Sequence, residues 1–398
     1  MSTTTTKPSA GVTPKWNDLL EIDGLFSDQE KLLRDTVRRW VRERIAPHLA
    51  DWFERGYFDI AVAKELGELG LLGMHLEGYG CAGASAVDYG LACLELEAGD
   101  SGLRSFVSVQ GSLAMFPIHA FGSADQKNEW LPAMAKGEKI GCFGLTEADY
   151  GSNPSGMRTS ARRDGSDWII DGSKMWITNG GVADVAIIWA QTDHGIRGFI
   201  VPTDTQGFST NDIHRKISLR ASVTSELLLQ GCRVPAAAML PDAKGLRGPL
   251  SCLNEARYGI LWGAIGAART CYETAVEYSK TRVVFDKPIG GFQLTQRKLV
   301  GMALELNKAL LVALQVGRNK DAGRSSPQQI SFGKLNNVRA AIDIAREARA
   351  ILGANGITLE YPVIRHMNNL ESVLTYEGTE EIHTLVLGEA ITGIAAYK

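Results

Sequence analysis

The sequence predicts an α+β protein of several domains: an N-terminal helical domain, a middle antiparallel β-domain and a C-terminal four-helix bundle. Three observations predict this fold class. Apolar residues recur at helical spacing through the first part of the 398-residue chain. Short β-prone runs with tight turns follow between Ile140 and Pro241, and long helical patterns return from Pro249. The predicted domains are 1–138, 139–245 and 246–398.

The N-terminal domain is preceded by a polar segment, residues 1–16, that we expect to be a disordered tail. The segment has neither the apolar core of a secretion signal nor any arginine, so it makes a poor targeting peptide. We therefore expect a cytoplasmic protein, or a protein of the mitochondrial matrix if the source is eukaryotic. The capping box Ser27-Asp28-Gln29-Glu30 predicts the start of the first helix. Further helical patterns cover 61–72, 89–98, 113–119 and 126–136.

The middle domain is predicted from three short runs rich in β-branched and aromatic residues. The Asp-Gly pairs at 164–165 and 171–172 are turn signals on either side of the first run. Several short strands joined by tight turns are typical of a small antiparallel domain. The runs are 168–170, 185–189 and 199–201.

The C-terminal domain is predicted to contain four long helical segments joined by short connections, which is the pattern of a bundle. The first is rich in alanine and glycine, which favours close packing against a neighbouring helix. The stretch Gly353-Ala354-Asn355-Gly356 is a strong signal for the end of the third helix. The segments are 257–281, 292–322, 327–352 and 370–394.

Composition and charge exclude several classes of function. The net charge of −3 provides no basic field for nucleic acid. No apolar run reaches the roughly 18 residues of a membrane span, so stable membrane insertion is not expected. The six cysteines show neither CxxC spacing nor a metal-binding pattern with histidine. We expect reduced cysteines, no metal site and a soluble chain.

The stretch LESVLTYEGTEEIH, Leu370–His383, contains the carboxylate on which the functional interpretation depends. Glu377 stands between Tyr376 and Gly378, and glycine leaves the backbone open to the close approach of a ligand. Thr379 can cap a helix whose first turn holds two further acids, as the helix dipole prefers. By itself such a glutamate is most often solvated, so the rest of the chain must provide what a catalytic base needs.

This stretch resembles the catalytic-base segment of the acyl-CoA dehydrogenases, most closely that of the glutaryl-CoA dehydrogenase branch. The resemblance covers nearly the whole chain after the tail, and the family's domain order is also α, β, α. It implies an FAD-dependent enzyme in which Glu377 removes the α-proton of an acyl-CoA thioester. In the decarboxylating branch of the family, Glu377 or Tyr376 would then help to protonate the γ-carbon. It also implies electron transfer to an electron-transfer flavoprotein and assembly as a homotetramer.

The resemblance places flavin contacts in several motifs. FGLTEADYGS (143–152) and MWITN (175–179) match the loops beside the flavin ring, while Arg282 and Gln293 match residues that reach a neighbouring subunit's flavin. Arginine suits that role because its planar fork meets phosphate oxygens in pairs. LGANG, which begins at Leu352, resembles a dinucleotide-contacting turn. The expected cofactor residues are Phe143, Leu145, Thr146, Gly151, Ser152, Trp176, Ile177, Thr178, Arg282, Gln293, Ala350, Ile351, Leu352, Gly353, Ala354 and Thr379.

The resemblance also assigns a set of substrate contacts. Arg104 lies in a small-residue stretch between two apolar helical patterns, where a fatty acyl chain would need no cation. In the glutaryl-CoA dehydrogenases the matching arginine binds the distal carboxylate of the substrate, and Glu97 and Ser105 match its companions. LSCLNEAR (250–257) resembles the helix that lines the CoA and acyl groups. The expected substrate residues are Glu97, Arg104, Ser105, Ser152, Leu250, Asn254, Arg257 and Gly378.

Two alternatives to a decarboxylating glutaryl-CoA dehydrogenase remain open at this stage. One is an acyl-CoA dehydrogenase for a short monocarboxylic chain, which Arg104 disfavours because an unpaired cation facing an alkyl tail is costly. The other is a flavin-binding module of the same fold without catalysis, which Glu377 disfavours because such a module has no use for the base.

Overall fold

The computed structural model describes residues 15–396, so most of the predicted tail lies outside the described residues. Of that segment only Lys15 and Trp16 are described. The ring of Trp16 packs against Tyr272, with ring centroids 6.0 Å apart, and the Lys280 ammonium lies 4.6 Å from its centroid. The chain is therefore already packed on the C-terminal domain at Trp16.

The N-terminal part is helical, as predicted. The capping box is present: the Ser27 N–H donates to Glu30 Oε2 at 2.8 Å, and the Glu30 N–H donates to Ser27 Oγ at 3.2 Å. π-Helical turns at Val41–Ile45 and Val109–Met115 continue two of the helices. The helices are α1 (Asp28–Trp40), α2 (Leu49–Arg55), α3 (Val62–Glu68), α4 (Ala86–Gly99), α5 (Ser101–Ser108), α6 (Phe116–Phe121) and α7 (Ala124–Ala135).

Helix α5 is the element of this domain that the sequence analysis missed. Arg104, expected between two helices, lies inside α5 and is buried. The local signal was Asp100, whose side chain accepts a hydrogen bond from the Gly102 N–H at 2.7 Å and so caps the helix. The glycine and serines of this stretch lower its helix propensity, and packing on α4 and on the C-terminal helices overrides that preference.

The middle part forms a seven-stranded sheet in the order β1-β4-β2-β3-β7-β6, with β5 paired to β4. Most pairings are antiparallel, as predicted, but β1 and β2 each pair with β4 in parallel. Strands β1 and β4 are neighbours in the sheet, but the β2–β3 hairpin lies between them along the chain. The connection from β1 to β4 is therefore a crossover, and the two strands run parallel. The strands are β1 (Gly141–Gly144), β2 (Ser160–Asp164), β3 (Asp167–Thr178), β4 (Val185–Thr192), β5 (Gly195–Pro202), β6 (Phe208–Asp212) and β7 (Thr224–Pro235).

The C-terminal part is helical again, and two details differ from expectation. The first long helix starts earlier than predicted, and the segment predicted at 370–394 is two helices separated by a turn at Tyr376–Thr379. Glu377 and Gly378 have φ values of +52° and +94°, which no α-helix accommodates. The elements are α8 (Arg247–Thr281), β8 (Val283–Val284), β9 (Lys287–Pro288), α9 (Gln293–Asp321), α10 (Pro327–Ile351), α11 (Val363–Thr375) and α12 (Glu380–Thr392).

The small residues of α8 let this helix approach α4 closely, as its composition predicts. A Cβ added to Gly266 would lie 1.9 Å from the carbonyl oxygen of Leu94. A Cβ on Gly263 would lie 2.1 Å from Glu97 Oε2. The contact between α4 and α8 thus sets the depth at which Glu97 is buried. The domain boundaries at 138 and 245 stay a prediction.

Within residues 15–396, helix α9 is the one helix long and apolar enough to cross a membrane by length and composition. The sequence analysis did not single it out. Core helices of soluble proteins meet the same criterion, and the buried side of α9 contributes Met302, Leu306 and Ala313 to a hydrophobic core. We regard α9 as a bundle helix.

Candidate active site

The turn between α11 and α12, residues Tyr376–Thr379, presents the predicted base. Glu377 is held in a left-handed conformation, which is uncommon for a residue with a side chain. Gly378 is required next to it, because a Cβ there would lie 2.9 Å from the Nε2 atom of buried His383. As predicted, Thr379 caps α12: its Oγ1 accepts from the Ile382 N–H at 3.3 Å.

Three consecutive carbonyl groups of this turn are held by two cationic side chains from neighbouring helices. Lys334 on α10 donates from Nζ to the carbonyl oxygens of Tyr376 and Gly378, both at 2.6 Å. Arg257 on α8 donates from Nε to the carbonyl oxygen of Glu377 at 2.7 Å. The backbone that carries the base is therefore fixed from two sides.

The Glu377 carboxylate has the environment of a general base. Its Oε2 atom is buried and has no hydrogen-bond partner in the described chain. Burial raises the pKa of Glu377 above its usual range, and three nearby cations, first Arg104, act in the opposite direction. A carboxyl group with a raised pKa and a free oxygen can accept a proton from a weakly acidic carbon.

Arg104 is fully buried and only partly satisfied. Its Nε donates to Glu97 Oε2 at 2.6 Å, and its Nη2 donates to the hydroxyl of Tyr376. Its Nη1 is buried without a partner. Burial alone would lower the pKa of Arg104, but the carboxylate of Glu97 and the phenol of Tyr376 raise it well above the usual value. The site therefore contains a permanent cation with one unused donor.

Serine residues surround this cation. Ser101 donates to the second carboxylate oxygen of Glu97 at 2.8 Å, and Ser105 Oγ lies 3.3 Å from the hydroxyl of Tyr376. The sequence analysis missed Ser108, which lies one helical turn after Arg104 and is fully buried beside the hydroxyl of Tyr89. The i, i+4 spacing from Arg104 was the signal that could have found it.

The expected substrate residues on α8 lie beside the base turn. Arg257 Nη1 donates to Asn254 Oδ1 at 3.3 Å, so both residues belong to the group that supports Glu377. Leu250, two turns earlier, is 38% exposed and lies toward the surface. The structure thus joins Glu97, Arg104, Ser105, Asn254, Arg257, Tyr376, Glu377 and Gly378 into one connected cluster.

The expected flavin-ring residues lie together on the middle domain. Lys174 bridges the two motifs, donating to the Leu145 carbonyl at 3.1 Å and to Glu147 Oε1 at 2.9 Å. The Met175 N–H also donates to the Thr146 carbonyl at 2.9 Å. Phe143, Leu145 and Ile177 are buried, Thr146 and Thr178 are half-buried, and Gly151 and Ser152 are exposed. Trp176, with φ +64°, stands out from this surface and is 60% exposed.

The remaining cofactor residues are at the ends of the long helices. Arg282 follows α8 and Gln293 begins α9, and both side chains are exposed. Ala350, Gly353 and Ala354 at the end of α10 are exposed as well, while Ile351 is half-buried and Leu352 is buried. Thr379 caps α12 beside the base. An exposed tryptophan with a constrained backbone and an exposed arginine suit a flavin ring and a pyrophosphate.

Comparison with known protein families gives a match for each of the three parts of the chain. Models of the acyl-CoA dehydrogenase N-terminal, middle and C-terminal domains match residues 27–138, 142–232 and 243–392. The human protein "Short-chain specific acyl-CoA dehydrogenase, mitochondrial" is 34% identical over 367 residues, which cover 90% of this chain and 89% of that protein.

Two solved structures have a higher sequence identity to this chain than the human protein has. The crystal structure of glutaryl-CoA dehydrogenase from Mycobacterium smegmatis is 65% identical, with a TM-score of 0.96 over 97% of this chain and 100% of that one. A second structure from the same organism, in complex with FADH2, is 63% identical with the same TM-score and coverage.

Proposed function

Because the chain belongs to the acyl-CoA dehydrogenase family, we propose that it is an FAD-dependent dehydrogenase of glutaryl-CoA. The match to three family models across the chain supports dehydrogenation of an acyl-CoA thioester between Cα and Cβ. The two Mycobacterium smegmatis structures support the choice of glutaryl-CoA and of FAD.

The observation that carries the substrate assignment is the unused donor of Arg104. Arg104 Nη1 is a buried donor without a partner, and an unsatisfied buried N–H is unfavourable, so the site favours a substrate group that accepts a hydrogen bond from it. The distal carboxylate of a glutaryl chain would accept a hydrogen bond from Arg104 Nη1. Tyr376 links this carboxylate site to the base, because its hydroxyl contacts Arg104 and the next residue is Glu377.

Catalysis begins with a proton transfer that the chain itself performs. Glu377 removes the α-proton, and its buried, unpartnered Oε2 receives it. The N–H of Glu377 donates to the thioester oxygen, which gains negative charge as the proton leaves. When bound, the flavin supplies the electron-accepting chemistry by taking the hydride from Cβ.

A second step follows from the same residues. The dehydrogenated product, glutaconyl-CoA, loses its distal carboxylate as CO2, and the electron pair is delocalised into the dienolate of the thioester. Glu377 then returns its proton to the γ-carbon and gives crotonyl-CoA. Tyr376 orients the departing carboxylate through Arg104 and assists this protonation.

The proposed protein partners are inferred from the exposure of the predicted cofactor residues. Exposed Arg282 and Gln293 favour a homotetramer, built as a dimer of dimers, in which these residues reach the flavin of a neighbouring subunit. Electrons leave to an electron-transfer flavoprotein. We place the protein in the cytoplasm, or in the mitochondrial matrix of a eukaryotic source.

The second candidate is an acyl-CoA dehydrogenase for short monocarboxylic chains, which the 34% identity to the human short-chain protein favours. An alkyl tail would leave Arg104 Nη1 without a partner in a closed site. A non-catalytic flavoprotein is the remaining alternative, and the base-like environment of Glu377 argues against it.

The test compares glutaryl-CoA with butyryl-CoA on the purified holoenzyme, with an artificial electron acceptor and with products identified by mass. We expect faster turnover of glutaryl-CoA, with crotonyl-CoA and CO2 as products. A higher kcat/KM for butyryl-CoA would favour the monocarboxylate alternative, and an unbleached flavin with both substrates would favour the non-catalytic one.

A further inference from the structure

Lys334 is a buried lysine that neither the sequence motifs nor the reaction assigned above accounts for. It lies on α10, is 1% exposed, and donates to the carbonyl oxygens of Tyr376 and Gly378, the residues on either side of the base. We propose that Lys334 is a positioning residue of the reaction, whose ammonium holds the Glu377 turn and keeps its carboxylate ionised and directed at the substrate. This inference deepens the proposed function and rests on Glu377 as the base.

The geometry of the turn explains why a donor is needed there. Tyr376 ends α11, so its carbonyl lies at the negative end of the helix, where a cation is stabilising. Gly378 lies beyond the left-handed Glu377, so its carbonyl cannot be satisfied within a helix. The side chain of Lys334 ties these two carbonyls together, and the residue between them keeps its unusual conformation as a result.

Arg257 donates a hydrogen bond to the remaining carbonyl oxygen of the turn, so the two cations have different roles. Arg257 lies on α8 and holds the carbonyl of Glu377 itself. Lys334 approaches from α10, and its ammonium also lies 5.8 Å from the centroid of the Tyr376 ring. Lys334 donates two of its three N–H groups to the carbonyl oxygens of the residues on either side of the base.

The charge of Lys334 acts on the same carboxyl group. A nearby cation favours the ionised form of Glu377 and so opposes the rise in its pKa caused by burial. Burial lowers the pKa of Lys334 to about 7, and the negative charge of Glu377 acts in the opposite direction by favouring the ammonium. The titratable and charged groups around the Glu377 turn are Glu97 on α4, Arg104 on α5, Arg257 on α8, Lys334 on α10, Tyr376 after α11 and His383 on α12.

The experiment measures the pH profile of kcat for the holoenzyme of Lys334→Met and Lys334→Gln. Lys334→Met keeps the length of the side chain but removes charge and donors, so kcat should fall by roughly 100-fold, as a misplaced base predicts. Its acid limb should move to higher pH, because the loss of the cation raises the pKa of Glu377. Lys334→Gln restores a donor without charge, so we expect part of kcat to return while the acid limb stays displaced.

The control is Lys320→Met, which removes a partly buried lysine on α9 that pairs with Glu255 at 2.7 Å. It should leave the acid limb unchanged. Bound flavin and thermal unfolding are measured for every variant, so that a misfolded Lys334→Met is recognised and the conclusion then rests on Lys334→Gln. An acid limb at the wild-type pH in the folded variants would overturn the proposal, even if kcat had fallen.

Both substrates are used so that this test stands apart from the substrate assignment. Lys334 acts on the base, so its loss should reduce turnover of glutaryl-CoA and butyryl-CoA by the same factor. A wild-type enzyme that preferred butyryl-CoA would refute the glutaryl-CoA proposal and leave the Lys334 test intact. A loss confined to glutaryl-CoA would overturn the positioning role.

Discussion

The two ends of the proposed active site are built in different ways. At the acyl end, Arg104 and Glu97 are 0% exposed and Lys334 is 1% exposed, and each has partners within the same chain. At the flavin end, Trp176 is 60% exposed, and the side chains of Arg282 and Gln293 are also exposed. In the proposed enzyme, one chain alone arranges the recognition of substrate, whereas the cofactor end presents large exposed side chains that a bound flavin and a neighbouring subunit would cover.

The free-energy cost of removing a side chain also differs between the two ends. A buried ion pair such as Arg104–Glu97 gains little stability overall, because desolvation offsets much of the attraction. Removing one partner is expensive, since the other is left buried and unpaired. The exposed residues at the flavin end carry no such penalty. Substitutions at the acyl end should therefore have large effects on activity or specificity, and single substitutions at the flavin end small ones.

The largest expected effect is at the base. Glu377→Gln keeps the shape of the side chain but cannot accept the α-proton, so the rate of flavin bleaching by glutaryl-CoA should fall by about 10³-fold or more. Flavin content and thermal stability should stay close to wild type. Glu381→Gln, an exposed acid in the first turn of α12, is the matched control and should change little. Near wild-type bleaching by the Glu377 variant would place the base elsewhere.

The next effect is on specificity. Arg104→Gln removes the cation for the distal carboxylate, so the ratio of kcat/KM for glutaryl-CoA over butyryl-CoA should fall by roughly 10- to 150-fold, the value of a charge-assisted hydrogen bond. The control is Arg269→Gln, which removes a guanidinium that pairs with buried Glu95 on the same helix as Glu97. That control should lower thermal stability and leave the ratio unchanged. An unchanged ratio in Arg104→Gln would refute the dicarboxylate assignment.

A smaller effect is expected from pH. Burial raises the pKa of Glu377 above the 4.5 of a free glutamate, and activity needs its ionised form. The wild-type kcat should therefore decline as pH falls, with a midpoint above 4.5. For stability the sign is opposite: the folded state holds this proton more tightly, so Glu377 favours folding at low pH and loses that contribution as pH rises from 4.5 through its raised pKa. Thermal unfolding of wild type and Glu377→Gln across pH checks this sign.

The smallest effect should be at the flavin end. Arg282→Gln removes one exposed cation, so flavin affinity should fall by only about 5-fold, corresponding to about 1 kcal/mol. Arg324→Gln, an exposed arginine after α9, is the control and should have no effect. Flavin release is followed by fluorescence, and sedimentation should show a tetramer. A flavin-loaded monomer would contradict the shared site, and a loss of affinity as large as that of a buried pair would remove the contrast between the two ends.

Local sequence determined a large part of this protein. The capping box at Ser27, the stop at Gly353 and the Thr379 cap are each short-range hydrogen-bond patterns, and each forms where the sequence places it. The order of helices, strands and helices also follows from periodicity, since burial of one face requires it.

Tertiary structure decided what joins distant parts of the chain. Arg104 and Tyr376 are 272 residues apart, and no local pattern indicates that their side chains meet. The sequence does not distinguish Lys334 from the other polar residues of α10. Its burial against the base turn depends on how α10 packs beside α11 and α12. The parallel pairing of β1 with β4 likewise arises from a crossover. The physical reason is the same in each case: a buried charge or strand edge is satisfied by whatever partner packing brings to it, and that partner is chosen by the whole fold.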